Sequence, residues 1–170
     1  PDGTSTEHRY WNATYERRPE HANWSARDWE DAVEEALRVA VRRRLVADIP
    51  VGVLLSGGLD SSLIVGLLAQ EGQTDLATYS IGFEAVGGRE GDEFQYSDVI
   101  AERFATDHHR IRVASDELAA ALGHAIGAMA EPMVSHDVVA FDLLSERVSQ
   151  SIRVVQSGQG ADEVFAGYHW

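Results

Sequence analysis

Apolar and polar residues alternate along this chain with two periods, one typical of a helix and one typical of a strand. After Ser25, an expected helix N-cap, apolar residues recur at every fourth position. They are Trp29, Val33, Leu37, Val41 and Leu45. This spacing predicts one long amphipathic helix. The polar stretch before it, residues 1–24, predicts an extended lead-in or linker.

Short runs of β-forming residues predict strands, and helical patterns lie between them. The predicted strands are 51–55, 76–83, 108–113 and 152–156. The predicted helices begin near Ser61, cover 94–104, run from Ser115 until Pro132 stops them, and cover 138–150. Apolar residues expected on the inner sides of the last three are Val99, Ile100 and Phe104, then Leu118, Leu122, Ile126 and Met129, then Phe141, Leu144 and Val148. The acidic, glycine-rich residues 84–93 predict a surface loop.

Strands that alternate with helices predict an α/β fold, a parallel sheet with helices on both faces. Ligands of such sheets bind at the carboxyl ends of the strands. Two glycine-bearing loops, at 56–62 and 157–163, each follow a predicted strand. We therefore expect these two loops to form one site.

The first of these loops lies between an apolar strand and an apolar helix. Gly57 and Gly58 can adopt backbone angles that other residues avoid, and the start of the helix directs N–H groups at one point. This pattern predicts an anion cradle. It lacks the Gly-Lys-Ser/Thr of a Walker A loop, and it does not fit G-x-G-x-x-G.

The segment Ser-Gly-Gly-Leu-Asp-Ser-Ser, residues 56–62, resembles the pyrophosphate-binding loop (PP-loop) of ATP pyrophosphatases, enzymes that cleave ATP to AMP and pyrophosphate. With the preceding residues 48–53 it resembles more narrowly the synthetase domain of glutamine-dependent asparagine synthetases. The resemblance covers residues 25–170 and implies the PP-loop ATP pyrophosphatase fold, which is adenine nucleotide alpha-hydrolase-like. It also implies that the loop binds ATP. The loop residues concerned are Leu55, Ser56, Gly57, Gly58, Leu59, Asp60, Ser61 and Ser62.

Asp60 is a carboxylate where the phosphates of ATP would lie, and it would be repelled unless a divalent cation lay between them. Magnesium takes oxygen ligands, commonly one or two carboxylates together with phosphate oxygens and water. We therefore expect a second carboxylate. Asp162, in the loop 157–163, fills this place, and in the family the two corresponding aspartates hold Mg²⁺ on the ATP phosphates. As an alternative, both aspartates cap helices.

The resemblance implies further contacts. Leu55 and Ile81 match positions that hold adenine, while Ser157 and Gly158 belong to the second ATP-binding loop, with Gly158 against the ribose. The other candidates are Glu93, facing the phosphates beside a helix-capping Asp92, Asp137 near the carboxylate substrate, and Glu163 next to Asp162. Each of them is also an ordinary core, turn or capping residue.

Gln159 departs from the family, since asparagine synthetases carry an acid there. A glutamine cannot act as a base, but it can orient a substrate or ammonia by hydrogen bonds. The stretches 131–141 and 155–170 resemble the amidotransferases that make N-acetylglutaminylglutamine amide, an osmolyte. The resemblance therefore implies that the acceptor is aspartate or an N-acetylated glutamine dipeptide. In either case the resemblance implies that ATP adenylates a carboxylate and ammonia then forms an amide.

Composition limits the partners. The net charge of −14 disfavours nucleic acid and anionic membranes, and no apolar run is long enough to span a bilayer. The chain has no cysteine, so the glutaminase domain that supplies ammonia in this family, whose nucleophile is a cysteine, is expected to be missing from this piece together with a C-terminal part. We expect a cytoplasmic protein and leave homo-oligomerisation open.

Two other interpretations remain. The chain could belong to another PP-loop enzyme, such as a GMP, NAD or argininosuccinate synthetase or a tRNA-modifying enzyme, or it could be a nucleotide-binding module without catalysis. The adjacent His108 and His109 suggest a metal site at first, but neighbouring strand residues point to opposite faces. A structural role is therefore the prediction for this pair.

Overall fold

The computed structural model describes residues 3–86, 89–132, 135 and 137–168. The chain divides into two compact units, one from the N-terminus to Ala36 and one from Leu37 onward. The first helix, α1 (Ala26–Arg43), begins in the first unit and ends in the second. No helix of the described part is both long and apolar enough to cross a membrane.

In the first unit, residues 3–18 form neither helix nor strand, and one 3-10 turn covers Pro19–His21. Ser25 and Asp28 cap α1 reciprocally: the Ser25 backbone N–H donates to Asp28 Oδ2 over 2.7 Å, and the Asp28 N–H donates to Ser25 Oγ over 3.3 Å. The predicted N-cap is confirmed. Trp29 packs on the rings of His21 and Trp24, at centroid distances of 5.1 and 4.7 Å.

The second unit is a sheet with helices on both faces. Its strands are β1 (Val51–Leu54), β2 (Ala77–Val86), β3 (Arg89–Gly91), β4 (Asp107–Val113) and β5 (Val154–Gln156). Its further helices are α2 (Leu59–Gln70), α3 (Phe94–Phe104), α4 (Ser115–Ala128), α5 (Asp137–Ser149) and α6 (Ala161–Phe165). Four strands are parallel in the order β4–β2–β1–β5, and β3 pairs antiparallel with β2. The predicted fold class is confirmed.

Alternation along the strands separates two apolar layers. On one face, the fully buried Val53, Leu55, Val65 and Leu68 pack with the end of α1 and with α2 and α3. On the other face, β2 and β4 pack against α4 and α5 through two clusters. Their buried members are Tyr79, Leu144, Val148 and Ile152, then Val113, Ala125, Val139 and Leu143. Period-two alternation therefore builds a three-layer core.

The predicted loop 84–93 is wrong over most of its length. Residues 84–86 continue β2, and 89–91 form β3. A Cβ at Gly91 would lie 2.5 Å from the Phe83 carbonyl oxygen, so the strand pairing itself requires a glycine there. From the sequence alone, a glycine required for close strand pairing cannot be distinguished from a glycine in a loop.

The predicted inner sides of α3 and α4 are partly wrong. Val99 is 61% exposed, whereas Ala101 and Ser97 are buried and Ile100 and Phe104 pack at the edge of the core. In α4, Leu122 and Ile126 are exposed, and the buried contact is made by Ala125. Small residues therefore make the buried contacts of these helices, and several of the larger apolar residues are left exposed.

Candidate functional site

The site lies where the chain changes direction across the sheet. The chain runs from β1 to β2 to β4 on one side and then returns to place β5 on the other side of β1. The loops that follow β1 and β5 are therefore neighbours at the carboxyl edge, which is the topological switch point of an open α/β sheet. A Cβ at Gly158 would lie 2.9 Å from the Asp60 Cβ and 3.0 Å from the Ser61 backbone N. The two loops predicted to form one site are thus in contact.

The first loop is held by its ends and by its own hydroxyls. The Leu55 N–H donates to the Tyr79 carbonyl over 2.8 Å, and the Ser80 hydroxyl donates to the Leu55 carbonyl. Ser56 Oγ lies 3.1 Å from Ser61 Oγ and accepts the Gly58 N–H over 3.2 Å.

The helix α2 begins at Leu59, and its N-cap, Gly58, contributes no side-chain cap. The first N–H groups of a helix have no partner within the helix. Together with the helix dipole they favour an anion at this point. The predicted anion cradle thus has the backbone it requires.

The second loop turns through Gly160, whose φ of +92° is a left-handed conformation, into the short helix α6. Asp162 lies in the first turn of α6, and its carbonyl accepts the Gly167 N–H over 3.0 Å. A Cβ at Gly167 would overlap the Asp162 carboxylate. The orientation of this carboxylate therefore depends on the absence of a side chain at position 167.

Tyr168 closes the end of this loop by donating its hydroxyl to Glu163 Oε1 over 2.6 Å. This hydrogen bond lowers the pKa of Glu163 and raises the pKa of Tyr168. Glu163 is therefore ionised, and it holds the Tyr168 ring at the cavity wall.

The loops, β2 and α5 enclose a cavity of about 650 Å³, a size suited to a small-molecule ligand. Most of the residues predicted from the sequence line it. They are Leu55, Ser56, Gly58, Asp60, Ser61, Ile81, Glu93, Asp137, Ser157, Gly158, Gln159, Asp162 and Glu163.

Three residues of the predicted ATP loop lie outside this lining. Leu59 is 82% exposed, and the buried Ser62 hydroxyl has no hydrogen-bond partner among the described residues. A Cβ at Gly57 would lie 2.5 Å from the Ser97 backbone N, so this glycine allows the loop to pack on α3. The absence of a side chain at position 57 is therefore needed for this packing.

Six carboxylates line the cavity, and the described residues place no Lys, Arg or His among them. The six are Asp60, Asp92, Glu93, Asp137, Asp162 and Glu163. Carboxylate oxygens are the ligands that Mg²⁺ prefers. In the described part, no three His, Cys, Asp or Glu side chains stand close enough to hold a metal by themselves. A cation at these carboxylates would need further oxygen ligands from a bound molecule or water.

Sequence reasoning did not assign several residues of the wall to the site: Tyr79, Ser80, Phe83, Ala140, Phe141, Leu144 and Tyr168. The positions of Tyr79 and Ser80 near the carboxyl end of β2 could have indicated them. Phe141 and Leu144 carried only the signal of a helix stripe, which a core helix shares. Asp92 accepts the Phe94 N–H over 3.3 Å, as the capping interpretation predicted, and it also reaches the cavity.

Comparison with known proteins identifies the family of this chain. The profile described as "Asparagine synthase" matches residues 32–170. The chain belongs to the asparagine synthase family.

Curated relatives support this membership. "Asparagine synthetase [glutamine-hydrolyzing] 3" of Bacillus subtilis (strain 168) is 32% identical over 95% of this chain and 28% of its own length. "Putative asparagine synthetase [glutamine-hydrolyzing] 2" of Methanocaldococcus jannaschii is 35% identical over 83% of this chain and 27% of its own. "Amidase chyE" of Penicillium rubens is 30% identical over 94% of this chain and 25% of its own. The chain thus spans about a quarter of the length of these relatives.

Among solved structures, the NH3-dependent NAD synthetase from Campylobacter jejuni, in complex with the nitrate ion, superposes with a TM-score of 0.53. The identity is 14%, and the match covers 83% of this chain and 61% of the synthetase chain. This likeness concerns the fold alone, a parallel sheet with helices on both faces.

Proposed function

We propose that this chain binds ATP and magnesium for an amide-forming ligase of the asparagine synthetase type. The observation that carries the proposal is the contact of Gly158 with Asp60, which brings two glycine loops to one acidic cavity at the switch point of the sheet. Family membership supports ATP-dependent amide formation as the chemistry of this cavity. Because the reaction needs ATP, we propose a cytoplasmic location.

In the proposed complex, the triphosphate lies on the backbone of residues 56–62 and at the start of α2. Leu55 and Ile81 contact the adenine, and Gly158 leaves room for the ribose. Asp60 and Asp162 would hold the magnesium ion, which neutralises the phosphate charge and supplies Lewis-acid polarisation when bound. The absence of basic lining among the described residues supports this assignment, because an acidic wall would otherwise repel the nucleotide.

The chemistry proposed is adenylation followed by amide formation. A substrate carboxylate oxygen attacks the α-phosphorus of ATP, and the bond to pyrophosphate breaks. Ammonia then attacks the acyl carbon, AMP leaves with the electron pair of the C–O bond, and the nitrogen loses a proton. The "glutamine-hydrolyzing" names of the relatives support glutamine, hydrolysed in a separate domain, as the ammonia source. The residues of this chain position the reactants and stabilise charge.

Gln159 supports an acceptor other than aspartate as the second candidate. Gln159 lines the cavity where the family carries an acid, and its backbone N–H donates to Ser157 Oγ over 3.4 Å. A neutral amide suits an acceptor rich in amides, such as an N-acetylated glutamine dipeptide. Pyrophosphate release, measured with aspartate and with the dipeptide in parallel, separates the two acceptors. Stimulation by aspartate alone would remove the dipeptide.

Calorimetry of ATP binding with and without Mg²⁺ tests the nucleotide site. D60N and D162N should each weaken ATP·Mg binding by about tenfold or more, the scale of one charge-assisted contact. The control D116N changes a carboxylate at the start of α4, outside the cavity lining. Equal affinity in D60N and wild type would contradict the proposal. ATP binding without pyrophosphate release in the presence of acceptor and ammonia would instead identify a non-catalytic nucleotide-binding module.

A further inference from the structure

A chain of hydrogen bonds runs below the cavity, on the face of the sheet covered by α3. The ring of His108 lies between β2 and α3, and its side chain is only 9% exposed. Its Nδ1 lies 2.8 Å from Thr78 Oγ1, and its Nε2 lies 3.3 Å from Ser80 Oγ. Thr78 Oγ1 is in turn 2.8 Å from Thr106 Oγ1. Ser80 is the residue of this hydrogen-bond series that also lines the cavity.

The hydrogen bond from Ser80 to the Leu55 carbonyl determines which atom donates in each of the other hydrogen bonds. Ser80 donates its only proton to the Leu55 carbonyl, so its oxygen can only accept from His108. The Nε2 atom of His108 therefore carries the hydrogen, and Nδ1 accepts from the Thr78 hydroxyl. The Thr78 oxygen then accepts from Thr106, which completes one direction of donation from Thr106 to Leu55.

This series of hydrogen bonds ends at Leu55. Leu55 leads directly into the loop 56–62, which we call the phosphate loop after its proposed ligand. Its N–H is fixed by the Tyr79 carbonyl, and its carbonyl is fixed by Ser80. A change in the hydrogen bonding of Ser80 therefore reaches the peptide that leads into Ser56. The predicted structural role of His108 thus has a specific target.

We propose that His108, as the neutral Nε2–H tautomer, is a positioning residue that sets the phosphate loop through Ser80 and Leu55. The proposal deepens the nucleotide site and rests on it for the effect on ATP, whereas the effect on the loop can be observed without ATP. His108 does not touch the ligand. It acts by fixing which way the Ser80 hydroxyl donates.

The charged groups around the ring define the pH dependence. Burial lowers the pKa of His108 most, and Asp98 of α3 raises it. Arg110 and His109 on the same strand lower it further, and a hydrogen bond to the Thr78 backbone raises it. Asp98 Oδ1 lies 3.8 Å from Nε2 and accepts from Arg110 over 2.7 Å, and Glu102 of α3 lines the same surface groove.

His108 is therefore neutral at neutral pH and gains a proton only below its ordinary value of 6.5. A proton on Nδ1 blocks donation from Thr78, and the charged ring is drawn towards Asp98 and away from Ser80. The loop should therefore change below pH 6.5.

Two substitutions at one position separate positioning from packing. H108Q places an amide N–H near the position of Nε2 and should retain ATP·Mg affinity with its pH dependence removed. H108N reaches only towards Thr78, leaves Ser80 without its donor, and should lose about three- to tenfold in affinity, the scale of one hydrogen bond. H109Q is the control, because His109 stacks on Tyr79 on the opposite face.

Nuclear magnetic resonance of the ligand-free chain gives the decisive readout. We expect ring nitrogen shifts of the Nε2–H tautomer at His108, and amide shifts of residues 55–58 that titrate with the pKa of His108 in wild type and H109Q but not in H108Q. An Nδ1–H tautomer, or loop amides insensitive to this titration, would overturn the proposal. Absence of ATP binding by wild type at every pH would overturn the nucleotide site instead and would leave the loop titration to decide on His108.

Discussion

Gly158 is packed directly on Asp60, with 2.9 Å between the Asp60 Cβ and the place where a Gly158 Cβ would be. The loops that bear them come from β5 and β1, the last and the first strands of the sheet in chain order. The close approach is allowed only because position 158 has no side chain. This contact fixes the distance between the two halves of the site.

The substitution G158A should therefore separate the two loops. Overpacking of this kind costs about 1–3 kcal/mol, and ATP·Mg affinity should fall by about tenfold or more because the two aspartates move apart. The matched control is G123A in α4, where the new Cβ would have no described atom within 4 Å apart from the neighbouring backbone of its own helix. That change should stabilise the chain by about 0.5–1 kcal/mol. Urea unfolding and calorimetry measure the two effects, and unchanged affinity in G158A would contradict the contact.

The substitution G57A tests whether the phosphate loop packs on α3. Gly57 and Gly72 have similar positive φ angles, +87° and +81°, but only the Cβ at position 57 would meet Ser97, at 2.5 Å. G72A should cost about 1–2 kcal/mol of unfolding free energy from backbone strain alone. G57A should cost a further 1–3 kcal/mol, roughly, from the collision. Equal losses in urea unfolding would show that packing on α3 contributes nothing.

The substitution G167A acts on Asp162 without changing its charge. The new Cβ overlaps the carboxylate, so the side chain must rotate away from its present orientation. Because α6 is exposed, the unfolding free energy should change little, while the Mg²⁺ concentration needed for ATP binding should rise by about tenfold, a shift of about 1.4 kcal/mol. A titration of Mg²⁺ at fixed ATP checks this. A rise equal to that of D162N would mean that the rotated carboxylate has lost all contact with the metal.

The pair His124–Asp142 joins α4 to α5 over 2.9 Å and predicts a pH dependence of stability. The hydrogen bond and charge of Asp142 raise the pKa of His124 above 6.5. A raised pKa means that the contribution to stability is fully present below the unfolded pKa and is lost as pH rises through the folded pKa. The difference in urea midpoint between wild type and D142N should therefore shrink between pH 6 and pH 8.5, roughly. The difference in urea midpoint between wild type and H124Q should shrink over the same pH range. A difference in midpoint that grows with pH would contradict the stabilising role of this pair.

The strands and helices of the larger unit could largely be predicted because each has a clear period. Asp107–Val113 alternates, and Phe94–Phe104 begins at the predicted residue. Which side of α3 is buried was harder to predict, since Val99 and Ala101 both fit an apolar helix stripe. In the structure Ala101 is buried and Val99 is exposed. The extension of β2 and the pairing of β3 were not predicted, because the glycine and acidic residues of this segment are typical of a surface loop.

The sequence motifs located the two loops that the fold brings together, but they did not locate the other walls of the cavity. Asp60 and Asp162 lie in the predicted loops, and those loops meet. Tyr168 lies only five residues after Glu163 in the second loop, whereas Phe141 and the buried partners of His108 come from elements distant in sequence. A single chain has no local signal for such neighbours, because they depend on how helices are laid on the sheet.

The pairing of Val51 with Val154 also determines when the site can exist during folding. These residues lie far apart in the sequence, so, of the described strands, β5 is synthesised last and closes the longest loop. Contacts of such long range form slowly. A nucleotide that needs both loops cannot stabilise a partly folded sheet, since it binds only the native state and shifts the equilibrium by mass action. Nucleotide binding would therefore report the completion of folding of this unit, rather than guide its early steps.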